Sequence, residues 1–178
     1  CYVSGRDPRI WANHEAYHGL INSILGLAGV KSDSNGLEVG CASGYLAAGL
    51  SEKMKQYLGV DVSSSSIALA KKMNLNNATF QVENGNELTI ADNSFDFSVF
   101  YDAITNFPAV GDAAGIISEM CRVTKPGGKV IIGSVPDSHK YDEYILAVSK
   151  YQKYLDDIYG GRENYYDDLD LSVQAEGG

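Results

Sequence analysis

Short apolar runs alternate with helical patterns along most of the chain, and this alternation restricts the fold more than any other feature. Residues 36–40, 57–62, 79–82, 95–101 and 129–135 read as strands. Residues 45–54, 63–73 and 111–123 carry apolar side chains at helical spacing, with Ile116, Ile117, Met120 and Val123 on one face. The serines of 63–66 are N-cap candidates. Pro126-Gly127-Gly128 is expected to stop the last of these helices before the fifth strand begins. Residues 8–27 read as a leading helix. Strands alternating with crossover helices build a mostly parallel sheet covered on both faces, so an α/β, doubly wound fold is expected. The 178 residues hold no internal linker and fit one domain. Its expected parts are a leading helical segment 1–35, a core 36–135 and a tyrosine-rich tail 136–178.

Charge narrows the partners. Asp and Glu number 23 against 14 Lys and Arg, a formal net charge of −9 with no dense basic run. Such a surface repels polyanions, so neither a nucleic-acid nor a membrane partner is expected. A small neutral or cationic substrate fits better. Cys1, Cys41 and Cys121 are far apart and form no CxxC pair, which reads as reduced thiols and a cytoplasmic location. No apolar run approaches the roughly 20 residues needed to span a bilayer.

The segment Leu37-Glu38-Val39-Gly40-Cys41-Ala42-Ser43-Gly44 carries the strongest chemical signal. A hydrophobic strand runs into a glycine-rich turn and then a helix. Glycine lets the backbone turn tightly and a ligand approach closely, and the helix start offers free N–H groups. The dinucleotide spacing G-x-G-x-x-G is absent, which disfavours a nicotinamide-dependent oxidoreductase, and no Gly-Lys-Ser/Thr follows to make a phosphate loop. Asp61 ends the second strand, where an acid can accept hydrogen bonds from ribose hydroxyls; capping the helix that begins near Ser63 is the bland alternative.

With these residues in view, the chain resembles class I S-adenosylmethionine-dependent methyltransferases, a Rossmann-like family, in the small-molecule branch called the methyltransferase-11 type. Residues 37–44 resemble the cofactor loop, and Gly59-Val60-Asp61-Val62-Ser63 the ribose-binding strand end. Ala91-Asp92-Asn93-Ser94-Phe95-Asp96 is similar to the approach to the fourth strand. Arg122-Val123-Thr124-Lys125-Pro126-Gly127-Gly128-Lys129 is similar to the turn into the fifth. The resemblance implies S-adenosylmethionine as cofactor and methylation of an O, N or C atom of a small-molecule acceptor. It implies that Gly40, Cys41, Ala42, Ser43 and Gly44 form the loop passing the methionine and ribose portions. Glu38 would anchor that loop and meet the methionyl ammonium through water. Asp61 would hold the ribose hydroxyls and Val62 pack on the adenine. Asn84, Gly85 and Asn86 would lie beside the adenine, and Tyr101 near the methionine portion.

The chain departs from the family pattern in two places. Asn84 stands where an acid near adenine N6 is usual, although an amide oxygen still accepts from the exocyclic amine. Thr105-Asn106 stands where a His pair is often seen after the fourth strand. No general base is assigned; His14, His18, Tyr101 and Asp102 are the candidates. The alternatives to a metal-free methyltransferase are a non-catalytic cofactor-binding module and a magnesium-dependent O-methyltransferase. The latter would use Asp102 and Asp137, but Ser138 replaces the usual Asn. No metal is expected. His14-Glu15-Ala16-Tyr17-His18 matches the H-E-x-x-H pattern of zinc proteases without an evident third ligand. Asn106-Phe107-Pro108-Ala109 lacks the second Pro and the Tyr of adenine-N6 methyltransferases.

Seven of the chain's twelve tyrosines follow Asp137, among residues spaced for an amphipathic helix. That tail reads either as a cover for one sheet face or as an aromatic substrate lid. Five strand patterns are readable where the family has seven, and residues 165–178 look like the helix preceding a sixth. The chain is therefore expected to be a fragment, with a self-paired homodimer or marginal stability as the consequence of an unpaired sheet edge.

Overall fold

A computed structural model describes residues 14–107, 110–135, 138–140 and 157. Helix α1 spans His14–Ala28, strand β1 Asn35–Val39, α2 Ala47–Leu50, β2 Gln56–Asp61, α3 Ser64–Lys72, β3 Ala78–Val82, β4 Phe95–Tyr101, α4 Ala114–Val123 and β5 Thr124–Gly133. The five strands form one sheet in the order β3-β2-β1-β4-β5, and every pairing is parallel. This is the Rossmann-like arrangement expected from the alternation of strands and helices. The chain divides into two compact units, Cys1–Ser134 and Val135–Gly178, whereas the sequence reads as one domain. The sheet belongs wholly to the first. Of the second, the described residues include a 3₁₀ turn, Ser138–Lys140. Residues 1–13, with the expected start of the leading helix, and the tail expectations for residues 141–156 and 158–178 lie outside the described residues.

Register sorts the strand side chains into two layers, because alternate residues of a strand face opposite sides. One face carries Tyr57, Phe80, Phe97 and Val99, packed with Ile21 and Ile24 of α1, Leu46, Leu50, and Ile67 and Ala70 of α3. The other carries Leu37, Val39, Val60 and Phe100, covered by Ile116, Met120 and Val123 of α4 with Leu88 and Ile104. Parallel strands buried on both faces need such continuous apolar runs. A buried hydroxyl pair, Ser98 Oγ and Thr124 Oγ1 at 2.8 Å, satisfies the two polar atoms between β4 and the start of β5.

Local chemistry sets the element ends. Ser63 caps α3: it is extended, and its Oγ accepts from the Ser66 N–H at 3.2 Å. The helix expected over residues 45–54 is shorter than its pattern, four α residues followed by a 3₁₀ turn, Ser51–Lys53. The expected stop at Pro126-Gly127-Gly128 is corrected. Helix α4 ends at Val123 and β5 starts at once, Thr124 pairing with Phe95. The register then jumps to Phe97–Lys129, so residues 125–128 bulge out of the ladder. Proline lacks an N–H for that ladder, and Gly127 takes φ +82°, so both suit a bulge. Lys125 pins it, with Nζ 2.7 Å from Asp96 Oδ1.

Between β3 and β4 runs a segment without regular structure, held by Arg122. Its guanidinium donates to the carbonyls of Leu88 and Ile90 and to Asp92 and Glu119, at 2.7–3.0 Å. Glu119 Oε2 also accepts from the Leu88 N–H at 2.8 Å. The segment is thereby fixed against α4.

Gly59 is the tightest joint under the loop that follows β1. A Cβ there would lie 2.8 Å from Phe80 Cδ1 and 2.9 Å from Cys41 Sγ, in a layer with no room to yield. Gly59→Ala is therefore expected to destabilise the fold by about 1–3 kcal/mol through overpacking. Urea unfolding measures this; an unchanged midpoint would show that Cys41 and Phe80 can shift freely.

Candidate functional site

The strand order defines where a ligand can enter. The chain lays β2 and β3 on one side of β1, then crosses to lay β4 and β5 on the other. Crossover connections therefore leave the carboxyl ends of β1 and β4 in opposite directions, and a crevice opens between them. A cleft of about 480 Å³ lies there. Glu38, Gly40, Cys41, Ala42, Ser43, Asp61, Val62, Asn84, Gly85, Asn86 and Tyr101 line it, so eleven of the twelve expected cofactor residues converge on one cavity. Gly44 does not: its Cα faces Met73, Phe80 and Ala70, where a Cβ would lie 3.0–3.5 Å from side-chain atoms.

The loop after β1 is folded by backbone bonds. The N–H groups of Gly40 and Cys41 both donate to the Val60 carbonyl, at 2.8 and 3.0 Å, which turns the chain over the end of β2. Gly40 takes φ +73°, a conformation that favours glycine, and a Cβ there would sit 3.2 Å from Ala103. Ala42 follows at φ +44°, an uncommon backbone state for a residue with a Cβ. Asp61 holds it in place: Oδ2 accepts from the Ala42 N–H at 2.9 Å, and Oδ1 from the Ser63 N–H at 2.9 Å. One half-buried carboxylate thus braces two loops. An ionised carboxylate offers about four acceptor sites, so about two remain for a ligand.

Glu38 is the unusual charge of the site. It lies on the apolar face of β1, 3% exposed, and Tyr57 donates to its Oε2 at 2.8 Å. Gly59, opposite Glu38 in register, has no side chain, so Tyr57 reaches Glu38 diagonally. Burial pushes the Glu38 carboxyl up to about 7, opposed by the hydrogen bond from Tyr57 and reinforced by the negative Asp61. Burial also pushes the Cys41 thiol and the Tyr57 phenol well up, so both stay neutral. Tyr17 of α1 is raised to about 12, first by burial and then by Tyr45 and Glu38.

On the far side of Asp61, Asn84 Oδ1 accepts from the Asn86 N–H at 3.1 Å, and the Asn84 carbonyl accepts from Glu87. The side-chain oxygen of Asn86 lies against Gly115 in the first turn of α4, where a Cβ would collide with it. Glu83 closes this corner; both of its oxygens accept from Thr89, at 2.6 and 2.9 Å.

The opposite wall comes from β4 and β5. The Tyr101 ring covers Gly133. Asp102 and Ser134 both take positive φ, +55° and +57°, at the ends of adjacent strands. The Asp102 N–H donates to the Gly133 carbonyl at 3.2 Å, and Ser134 Oγ to Asp102 Oδ1 at 3.0 Å. Tyr45 lines the cleft as well; Tyr17 meets its ring edge-on at 4.8 Å and donates to its carbonyl at 3.0 Å. His14 and His18 sit on exposed α1 positions with ring centroids 4.6 Å apart. Neither lines the cleft, which Tyr101 and Asp102 do. Among the described residues no three His, Cys, Asp or Glu side chains form a metal-holding group, and no helix is long and apolar enough to cross a membrane. Asp137 lies outside the described residues.

Tyr45, Glu83, Phe100, Ala103 and Phe107 also line the cleft and were not among the expected residues. Each stands within about one turn of a strand's carboxyl end or of the glycine loop, and that position was the available signal.

A family model described as a methyltransferase domain matches residues 37–132, more than half of the chain. The chain is similar to a demethylmenaquinone methyltransferase of Oceanobacillus iheyensis, 36% identical over 109 residues, which cover 57% of this chain and 44% of that one. It resembles the crystal structure of an S-adenosylmethionine-dependent methyltransferase from Methanosarcina mazei, with TM-score 0.55 and 31% identity, over 61% of this chain and 55% of the other. The YcgJ protein of Bacillus subtilis shares the fold, with TM-score 0.60 and 22% identity, over 75% and 58% of the two chains. The chain spans about half the length of the curated relatives it matches. With the parallel sheet, the crevice between β1 and β4 and the braced glycine loop, these matches lead to one conclusion: the chain belongs to the methyltransferase domain family.

Proposed function

We propose that this chain binds S-adenosylmethionine in the β1–β4 cleft and directs its methyl group to a small-molecule acceptor. The observation that carries the reading is Asp61. It is placed at the strand end where ribose hydroxyls bind in this architecture, with acceptor capacity left after bracing Ala42 and Ser63. The cavity suits such a ligand. Gly40 and the loop it turns line it, and Val39, Val60, Phe100 and Ile116 supply apolar wall.

When bound, the cofactor supplies a methyl group made electrophilic by a sulfonium. The chain's own residues orient and desolvate. Asp61 holds the ribose hydroxyls. Val62, 71% exposed, offers its side chain to the adenine, and Asn84, Gly85 and Asn86 border it. Glu38 faces the methionyl ammonium, the loop 40–43 passes the methionine and ribose portions, and Tyr101 flanks the methionine end. Alignment and exclusion of water supply much of the rate in such a displacement. Tyr101 and Asp102 remain the base candidates for a protonated acceptor, since both line the cleft and His14 and His18 do not. The relatives named for demethylmenaquinone support a small acceptor, and the net charge of −9 disfavours a nucleic acid.

Asp61→Ala is expected to weaken binding of S-adenosylhomocysteine by about 1–3 kcal/mol, as two hydroxyl contacts and the Ala42 brace are lost together. Titration calorimetry reads this, and parental affinity in the variant removes Asp61 from the site. Activity is expected to persist in EDTA. The carboxylates lining the cleft already accept hydrogen bonds from protein donors: Glu38 from Tyr57, Asp61 from two N–H groups, Glu83 from Thr89, Asp102 from Ser134. Magnesium wants several oxygen ligands together, and among the described residues no three His, Cys, Asp or Glu side chains form a metal-holding group. Turnover lost on chelation and restored by magnesium would overturn this.

A further inference from the structure

The Tyr57–Glu38 pair is a buried polar contact that the cofactor reading alone does not require. We propose that Tyr57 is a positioning residue whose hydroxyl holds the Glu38 carboxylate toward the ammonium of the cofactor's amino-acid end, and that binding of this ammonium is coupled to release of a proton from Glu38. The inference rests on the cofactor reading above.

Geometry carries it. Tyr57 is 1% exposed and lies behind the cleft wall, whereas Glu38 lines the cleft. The hydroxyl engages Oε2 at 2.8 Å, and neither Tyr57 nor Glu38 leaves a buried side-chain atom without a partner. Tyr57 does not line the cleft itself, and its hydrogen-bond partner Glu38 does. Among the described residues, the groups facing Glu38 are Tyr57 and Asp61 of β2, Cys41 of the loop and Tyr17 of α1. None is a cation. In the free protein the charge of Glu38 is therefore opposed by burial and by Asp61, and supported by the Tyr57 hydroxyl. Its carboxyl rests at about 7. A cationic ammonium in the cleft supplies an opposite charge and favours the ionised form.

The sign follows. Below pH 7 Glu38 holds a proton that the cation must displace, so affinity rises with pH and levels off above 7. For a carboxyl ionising near 7, the ionised share grows about tenfold between pH 6 and pH 8. Removing the Tyr57 hydroxyl removes what lowers the Glu38 carboxyl, so the midpoint moves to higher pH.

The test is calorimetric titration of the full chain with S-adenosylhomocysteine from pH 6 to pH 8. 5′-Methylthioadenosine, which lacks the amino-acid end, serves as a second probe. The parent is expected to bind S-adenosylhomocysteine up to about tenfold more tightly at pH 8 than at pH 6, and 5′-methylthioadenosine equally at both. Tyr57→Phe is expected to move the S-adenosylhomocysteine midpoint up by about one pH unit and to leave 5′-methylthioadenosine unchanged. Glu38→Gln is expected to flatten the profile, with or without Tyr57→Phe. A flat parental profile overturns the inference without any variant, and leaves the cofactor reading standing if both probes bind. An equal loss for both probes in Tyr57→Phe makes Tyr57 merely structural and overturns it too. Failure of both probes to bind at any pH overturns the cofactor reading and this inference with it.

Discussion

The cleft depends on one carboxylate. Parallel strands end side by side with their carbonyls pointing into the loops that follow, and nothing in the ladder itself fixes those loops. Here the ends of β1 and β2 are tied in both directions. The Val60 carbonyl accepts from Gly40 and Cys41, and Asp61 accepts from Ala42 and Ser63. The positive φ of Ala42 is sustained by this tie, because an uncommon backbone state persists only where its surroundings over-determine it. On the proposed reading Asp61 has two functions in one group. It shapes the loop, and it presents the remaining lone pairs to whatever the loop cradles. The structural reading of Asp61 as a turn acid and the functional reading as a ribose acceptor are both compatible with its geometry.

Glu38 imposes the opposite constraint. A carboxylate beneath an apolar layer is costly unless it is hydrogen-bonded, and replacing the pair by hydrocarbon would be simpler for stability. Tyr57 satisfies one oxygen and is itself satisfied, so the contact leaves no orphaned atom. On the same face Gly36 and Gly59 leave room for neighbouring side chains. At Gly36 a Cβ would strike the Phe97 ring, and at Gly59 it would strike Phe80 and Cys41. The glycines of these strands thus serve the close packing of the aromatic layer beside the pair, as the loop glycine Gly40 serves the turn.

Sequence patterning revealed the sheet because its physics is local and periodic. All five strand segments lie where their apolar runs stand, and Ser63 caps its helix as its side chain predicts. The convergence of eleven expected residues on one cavity follows from the same regularity: strand ends and glycine turns recur at fixed places in a doubly wound sheet. What escaped the sequence is non-local. The early start of β5 reflects pairing of Thr124 with Phe95 and its hydroxyl contact with Ser98, more than twenty residues away, and these outweigh the local signal of Pro126-Gly127-Gly128. Tyr57 reads as an ordinary aromatic in a strand until register sets it beside Glu38. Gly44 reads as a loop glycine, yet its neighbours are Ala70 and Phe80, brought close by the crossover of α3.

The two walls of the cleft are built differently, and that difference bears on how such a chain can change its acceptor. The wall formed by β1 and β2 is held by backbone groups, with Asp61 as its side-chain tie. The wall formed by β4 and β5 presents Tyr101, Asp102 and Phe107, side chains on turns beyond the strand ends. The Asp102–Ser134 contact and the Asp102–Gly133 backbone bond support it. Gly40 and Cys41 donate to the Val60 carbonyl, and Ala42 and Ser63 to the Asp61 carboxylate, all within the first wall, while Ala103 and Phe100 of the second wall lie close to Gly40. On the proposed reading, the first wall fixes the cofactor loop, while the second presents Tyr101 to the methionine end and Asp102 and Phe107 at the same cleft. A rigid scaffold carrying a variable turn is the arrangement in which specificity changes without loss of the fold.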